Sequence, residues 1–222
     1  MLSVALTGGI GSGKTAVTKL FQQLASNADF QGSLKIIDAD VIARDLLAGS
    51  LKQASINAAL RDVHQLFGSD IFDSDGYLDR YKLRSLIFSS KNKKAQLEAL
   101  LHPLVYDEIF SQLTSIHSGI VIIAIPLFFE TRAETRAEIK ADNKFDRILV
   151  IDVPVEIQIE RSSKRDKCSE KLVKEIISSQ VERRVRLNQA DDIIDNSGAF
   201  SELQLKVAAL LQKYQSLANK SS

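Results

Sequence analysis

Residues 8–15, Gly8-Gly9-Ile10-Gly11-Ser12-Gly13-Lys14-Thr15, satisfy the spacing G-x-x-x-x-G-K-[ST] in full. An apolar run at 2–7 precedes them, and residues 15–24 follow with apolar side chains at Val17, Leu20, Phe21 and Leu24, the three-and-four spacing of a helix. Strand, glycine loop and helix in that order constrain the fold more than any other feature of the chain. Glycines let backbone N–H groups turn inward around phosphate oxygens, and the helix N-terminus adds its partial positive charge. Lys14 is placed to reach β and γ phosphates, and the Thr15 hydroxyl to face Mg²⁺. Gly8, Gly9, Gly11, Ser12, Gly13, Lys14, Thr15 and Ala16 are therefore the candidate nucleotide-binding residues. A plain strand-to-helix turn is the competing reading, and the complete motif in its context favours nucleotide binding.

The rest of the chain repeats the strand-helix alternation. A second apolar run at 34–37 ends at Asp38, and helical spacing resumes over 39–47. From 51 to 117 the pattern is helical, interrupted by the turn-rich stretch 68–76 and by Pro103. Residues 119–126 and 147–153 are apolar and β-branched without polar alternation, as in strands buried on both faces. Ile193-Ile194 is a short fifth candidate, and 199–217 returns to an amphipathic helix. This order predicts an α/β fold of the P-loop NTPase kind: a five-stranded, mostly parallel sheet with helices on both faces. The expected organisation is a nucleotide-binding core over 1–50 and 118–222, with a helical substrate-binding insertion over 51–117.

Composition narrows the function classes. A length of 222 residues accommodates one α/β domain with an insertion and is too short for two large domains. A net charge of +1 gives no general field for polyanions, so attraction for phosphate has to come from local lysines and arginines, and no nucleic-acid partner is expected. Cys168 is the single cysteine, which excludes an intramolecular disulfide and a thiolate zinc site. The start MLSVALTGG has no basic leader, and no apolar run approaches membrane-spanning length. A cytoplasmic protein with no membrane partner is the expectation.

The loop does not decide whether the γ phosphate goes to water or to another molecule, because switches and kinases share it. For a GTPase switch, Asp73-Ser74-Asp75-Gly76 fits D-x-x-G and Asn143-Lys144-Phe145-Asp146 fits N-K-x-D. The first lies in an acidic turn and the second follows the polar stretch 130–142, so neither follows a buried strand, and both read as turns. A kinase acting on a small hydroxyl needs a carboxylate at the C-terminal end of a neighbouring strand, and Asp38-Ala39-Asp40 stands there. Asp40 is the candidate proton acceptor and Asp38 the candidate support for Mg²⁺, either of them competing with a helix N-cap role. Arg161, Lys164 and Arg165 lie in a polar stretch read as following the helix that starts after Pro154, and are the candidate cations of a lid at about 160–172. The competing reading for such a charge run is a solvated face.

Together these blocks resemble the dephospho-CoA kinase family. The match runs through LTGGIGSGKT at 6–15, IDADVIAR at 37–44, GYLDRYKLRSLIF at 76–88, LLHPLV at 100–105 and PLFFE at 126–130. It continues through the lid arginines with Asp166, Gln180 with Arg183 and Arg186, and ADDIIDN at 190–196. The resemblance implies phosphorylation of the ribose 3′-hydroxyl of dephospho-CoA by Mg-ATP, the last step of CoA synthesis. It implies that Asp40 is the base or orienting group, that Arg44 helps hold the acceptor, and that Arg161 and Arg165 close over the phosphates. Leu78, Arg80, Phe88, His102 and Pro103 would belong to the helical CoA-binding insertion. Pro126, Leu127 and Glu130 would follow the third strand beside the acceptor, and Asn196 would lie near the adenine of ATP. Without the resemblance, His102 reads as a structural histidine in a helix N-terminal turn. The chain departs from the family pattern in Thr15 for the commoner serine, in Phe128-Phe129 for a leucine-rich pair, and in a longer connection over 26–33; all three spare the chemical groups.

Overall fold

The computed structural model describes residues 1–27, 30, 32–49, 51, 58–130 and 145–220. In chain order the elements are β1 Leu2–Gly8, α1 Lys14–Ala25, β2 Leu34–Asp38, α2 Ala39–Leu46, α3 Ala58–Phe67, α4 Arg80–Ser89, α5 Lys91–Thr114, β3 Ile120–Ala124, β4 Arg147–Asp152, α6 Val155–Asp166, α7 Glu170–Ser179, α8 Arg183–Gln189, β5 Asp192–Asp195 and α9 Phe200–Lys220. They form two compact units: Met1–Asp38 with Ile116–Ser222, and Ala39–Ser115.

The first unit is built on a five-stranded sheet in the order β2-β3-β1-β4-β5, every pairing parallel. Period-two alternation divides its side chains between two faces. Leu2, Val4 and Leu6 of β1, Ile120 and Ile122 of β3, and Leu149 and Ile151 of β4 meet Val17, Leu20 and Phe21 of α1 and Leu203, Val207, Leu211 and Tyr214 of α9. The Phe21 and Tyr214 rings stack there, with centroids 6.3 Å apart. The alternate residues Ala5, Val121, Ile123, Ile148 and Val150 are buried as well, so the central strands are covered on both sides, which is why they read as unbroken apolar runs. Because all five strands run the same way, their carboxyl ends lie along one edge of the sheet.

The second unit is helical, with a core of Leu60 and Val63 from α3, Ile71 and Phe72, Leu83 from α4, and Leu97 and Leu101 from α5. Asp79 caps α4 by accepting from the Tyr81 and Lys82 amides, both at 3.0 Å. Ser90 caps α5 through the Lys93 amide at 3.3 Å. Pro103 does not interrupt this unit as the sequence suggested: α5 runs unbroken through it. A proline removes one bond to the carbonyl four residues earlier, here Ala99; both residues are exposed, so water can take the place of the missing N–H. Among the described residues, no helix is long and apolar enough to cross a membrane.

Candidate active site

The phosphate loop joins β1 to α1 at the carboxyl edge of the sheet. Gly13 caps α1 with φ 93° and ψ 24°, a left-handed conformation that side chains disfavour. The Ser12 amide closes a turn onto the Gly9 carbonyl at 3.2 Å. Lys14 folds back over that turn, its Nζ donating to the Gly8 carbonyl at 2.8 Å and the Gly9 carbonyl at 3.1 Å. The first turn of α1 holds no acidic residue, so the partial positive charge of the helix N-terminus is left for an anion. Thr15 is exposed in that turn, and Ala16 follows it half-buried.

Polar side chains from later in the chain brace the loop from behind. Asn196, just after β5, is 8% exposed and donates from Nδ2 to the Ser12 carbonyl at 2.8 Å. Gln180, between α7 and α8, accepts the Ile10 N–H at 3.0 Å through Oε1. A methyl group on Gly9 would lie 2.8 Å from Gln158 Oε1 and 3.1 Å from Arg186 Nη2, so the missing side chain lets both groups reach the backbone. Gln158 and Ser162 are the buried residues of α6, one turn apart on the face turned to the loop. Ser12 Oγ, Gln158 Oε1 and Ser162 Oγ lack hydrogen-bond partners among the described residues, which gathers three buried, unsatisfied oxygens around one glycine loop.

Two arginines of α8 complete this surround. Arg183 forms a two-pronged ion pair with Asp152, the last residue of β4, at 2.6–3.1 Å, and the hydrogen bond to that carboxylate raises the Arg183 pKa. Arg186 is buried and donates from Nη1 to the Val181 carbonyl. Burial pushes its pKa down, opposed by the charges of Glu130 and Asp152. Sequence reasoning gave Gln158, Ser162, Gln180 and Arg186 no role. A signal existed in α6, where two polar residues four apart occupy the stripe a helix usually gives to apolar side chains.

The other candidates of this unit lie along the same edge. Asp38 closes β2, half-buried, with Ala124 of β3 as its register partner. Beyond β3, the Pro126 carbonyl accepts from Thr7 Oγ1 at 3.4 Å. Leu127 and Glu130 are half-buried, and Glu130 Oε1 accepts from the Val181 amide at 3.0 Å. Phe128 is fully buried, edge-on to Phe129 and Phe145, so the aromatic pair in place of leucines fills a core. Arg161 and Arg165 are not in a loop after the helix: α6 extends to Asp166 and holds both in its last two turns. The Glu160–Lys164 pair at 2.7 Å, one turn apart, and basic residues at the helix C-terminus support this extension. Lys167 then ends the helix in the left-handed region, at φ 50°. Arg165 is held by Asp166 at 2.7 Å, a hydrogen bond that raises its pKa; Arg161 is half-buried beside Ser162.

In the helical unit, Asp40 is exposed in the first turn of α2 and Arg44 in its last turn. Arg80 donates from Nη2 to the Arg44 carbonyl at 3.1 Å, which brings two of the predicted acceptor residues together. Leu78 is half-buried against the core of this unit. Phe88 is 70% exposed, with the Arg84 guanidinium 5.4 Å from its ring centre. His102 is half-buried in the middle of α5 rather than in an N-terminal turn, because Pro103 starts no new helix.

Asp73 and Asp146, an aspartate of each switch-like motif, are engaged in backbone structure. Asp73 closes a tight turn, its Oδ1 accepting from the Asp75 and Tyr77 amides at 3.0 and 2.8 Å. Asp146 is engaged by the start of β1, where its Oδ2 accepts from Ser3 N at 2.7 Å and Ser3 Oγ at 2.8 Å. Asn143 and Lys144 lie outside the described residues.

The family model described as dephospho-CoA kinase matches residues 2–202. The dephospho-CoA kinase of Sodalis glossinidius is 41% identical over 215 residues, covering 97% of this chain and 93% of the relative. That of Aeromonas hydrophila is 36% identical over 220 residues, covering 99% and 97%. Among solved structures, a dephospho-CoA kinase from Campylobacter jejuni superposes with a TM-score of 0.65 at 24% identity, covering 99% of this chain and 98% of that one, a likeness of fold.

Proposed function

Because this chain belongs to the dephospho-CoA kinase family, we propose that it transfers the γ-phosphoryl group of ATP to the ribose 3′-hydroxyl of dephospho-CoA, giving CoA and ADP. The observation that carries the phosphoryl-transfer reading is the Lys14 ammonium seated over the Gly8 and Gly9 carbonyls at an α1 N-terminus without acidic residues. That arrangement offers an anion a cation and the positive end of a helix at one place. The acceptor's identity comes from the family.

In this reading the loop residues Gly8 to Ala16 hold the phosphates, with Asn196 and Gln180 bracing the backbone and Asn196 standing at the nucleotide end. The bond from the 3′-oxygen to the γ phosphorus forms as the bond to the bridging β,γ-oxygen breaks; ADP leaves with that oxygen. Asp40 orients the hydroxyl and accepts its proton. Lys14, Arg161 and Arg165 stabilise charge on the transferred group, for which Arg165 exchanges its Asp166 partner for phosphate.

Thr15 and Asp38 would hold Mg²⁺. A hydroxyl and a carboxylate are an all-oxygen donor set too small to surround the ion, which suits a metal that keeps most of its waters and binds phosphate. When bound, it neutralises phosphate charge. The helical segment from 51 to 117, with Arg44, Leu78, Arg80, Phe88, His102 and Pro103, is assigned to the acceptor, together with Pro126, Leu127 and Glu130 after β3. A cytoplasmic location accords with the substrates. Product analysis tests the reading: incubation with Mg-ATP and dephospho-CoA should yield CoA carrying a new 3′-phosphomonoester by ³¹P NMR. Hydrolysis of ATP without a phosphorylated acceptor would sink it.

A further inference from the structure

The peptide unit joining Gly9 to Ile10 is engaged on both edges. Its carbonyl accepts from Lys14 Nζ at 3.1 Å, and its N–H donates to Gln180 Oε1 at 3.0 Å. A trans peptide is a rigid plane whose C=O and N–H point in opposite directions, so a partner that holds one edge fixes the direction of the other. Half a turn of this plane would set the Ile10 N–H against the Lys14 ammonium, donor against donor, and would break the bond from the Ser12 amide to the Gly9 carbonyl at 3.2 Å. The observed orientation satisfies all three bonds at once, with Gln180 holding the N–H edge while Ser12 and Lys14 hold the carbonyl.

Gln180 is itself held. Its amide donates to the Ile177 carbonyl at 3.1 Å, closing α7. The next residue, Val181, donates to Glu130 Oε1 at 3.0 Å and accepts from Arg186 Nη1. On the far side of Gly9, Gln158 and Arg186 occupy the space a side chain would take, so the loop backbone is confined there as well. The backbone that carries Gln180 is thus held, and its Oε1 accepts from one loop amide.

We propose that Gln180 is a positioning residue for phosphoryl transfer, acting through the Gly9–Ile10 peptide plane to seat the Lys14 ammonium. The proposal rests on the reading of Lys14 as the cation that serves the transferred phosphate. It differs from a general bracing role because the effect of Gln180 passes through one side chain.

The test is a double-mutant cycle in the full chain, with kcat and KM for ATP and for dephospho-CoA measured separately. Gln180→Met keeps the length and removes the acceptor; it should lower kcat roughly tenfold or more while the KM for dephospho-CoA stays within about twofold. Gln180→Glu restores an acceptor oxygen and should recover most of kcat, its added charge raising the KM for ATP. In a Lys14→Ala background, Gln180→Met should cost less than about twofold further, since residues acting as one unit are not additive. Hydrogen exchange at the Ile10 amide should quicken in Gln180→Met and stay slow in Gln180→Glu. Equal kcat losses in the native and Lys14→Ala backgrounds would overturn the positioning role while leaving Lys14 as the functional cation. Near-native turnover of Lys14→Ala itself would overturn the reading of Lys14 and this proposal with it. If Gln180→Met lost thermal stability and kept its kcat per folded molecule, Gln180 would be structural only.

Discussion

Asn196 Nδ2 donates to the Ser12 carbonyl at 2.8 Å from 184 positions away in sequence, and the same nitrogen would stand 2.3 Å from a side chain on Gly13. One amide therefore supports the loop and explains why the position directly before Lys14 carries no side chain. The end of β5 closes the phosphate loop laid down by β1, although the two strands are not neighbours in the sheet.

Gly13→Ala should weaken ATP binding by at least about tenfold, since the new methyl meets Asn196 in a left-handed backbone that already disfavours it. Asn196→Ala alone removes one hydrogen bond and should weaken binding by roughly fivefold. The double variant frees the space and keeps the backbone strain, so titration calorimetry should find it tighter than Gly13→Ala and weaker than native.

Lys14→Ala and Asp40→Asn should each lower kcat by roughly a hundredfold or more, as expected for groups positioned on developing charge. Both side chains lie outside the apolar cores, so thermal midpoints should move by no more than about 2 °C. Steady-state kinetics beside differential scanning fluorimetry separates the two effects. Near-normal turnover of Asp40→Asn would remove that residue from the mechanism.

Acid stability should depend on Asp192 at the start of β5. Burial works to raise its pKa, but hydrogen bonds from Arg147 at 2.7 Å, Lys213 at 2.5 Å and Tyr214 at 2.9 Å outweigh it, and the net shift is downward. A carboxyl whose folded pKa lies below its unfolded one adds stability that is complete above about pH 4 and is lost as pH falls through the lower folded value. Asp192→Asn should cost about 1–3 kcal/mol in urea unfolding at neutral pH and flatten the loss of stability below about pH 4. An unchanged acid limb would assign that loss to other carboxylates.

Pro103→Ala should stabilise the helical unit by about 1–3 kcal/mol, because the exposed Ala99 carbonyl regains its bond within α5. Chemical denaturation reads this directly. A loss of stability would mean that the proline ring makes contacts worth more than the restored bond.

That proline marks one limit of what the sequence conveys. The apolar runs before Gly8, Pro126 and Val153 are legible as strands because both sides of the sheet are covered there, the edge run before Asp38 only as a short apolar stretch, and the glycine loop because its chemistry needs fixed spacing. Pro103 was read as a break because local propensity cannot reveal that the freed carbonyl faces water. The polar run after Ile159 was read as a loop although its charges are those of an exposed helix end paired through Glu160 and Lys164. Gln180 and Asn196 escaped or were placed only by family likeness, since their partners are main-chain groups 170 and 184 positions away, and a backbone acceptor leaves no mark in a sequence.

Acceptor-dependent ADP release from Mg-ATP, with dephospho-CoA set beside adenosine, nucleoside monophosphates and an acceptor-free control, decides which hydroxyl this chain phosphorylates. On the dephospho-CoA reading, dephospho-CoA stimulates release strongly, with CoA formed in equal amount to ADP. Stimulation by another acceptor and none by dephospho-CoA would contradict it.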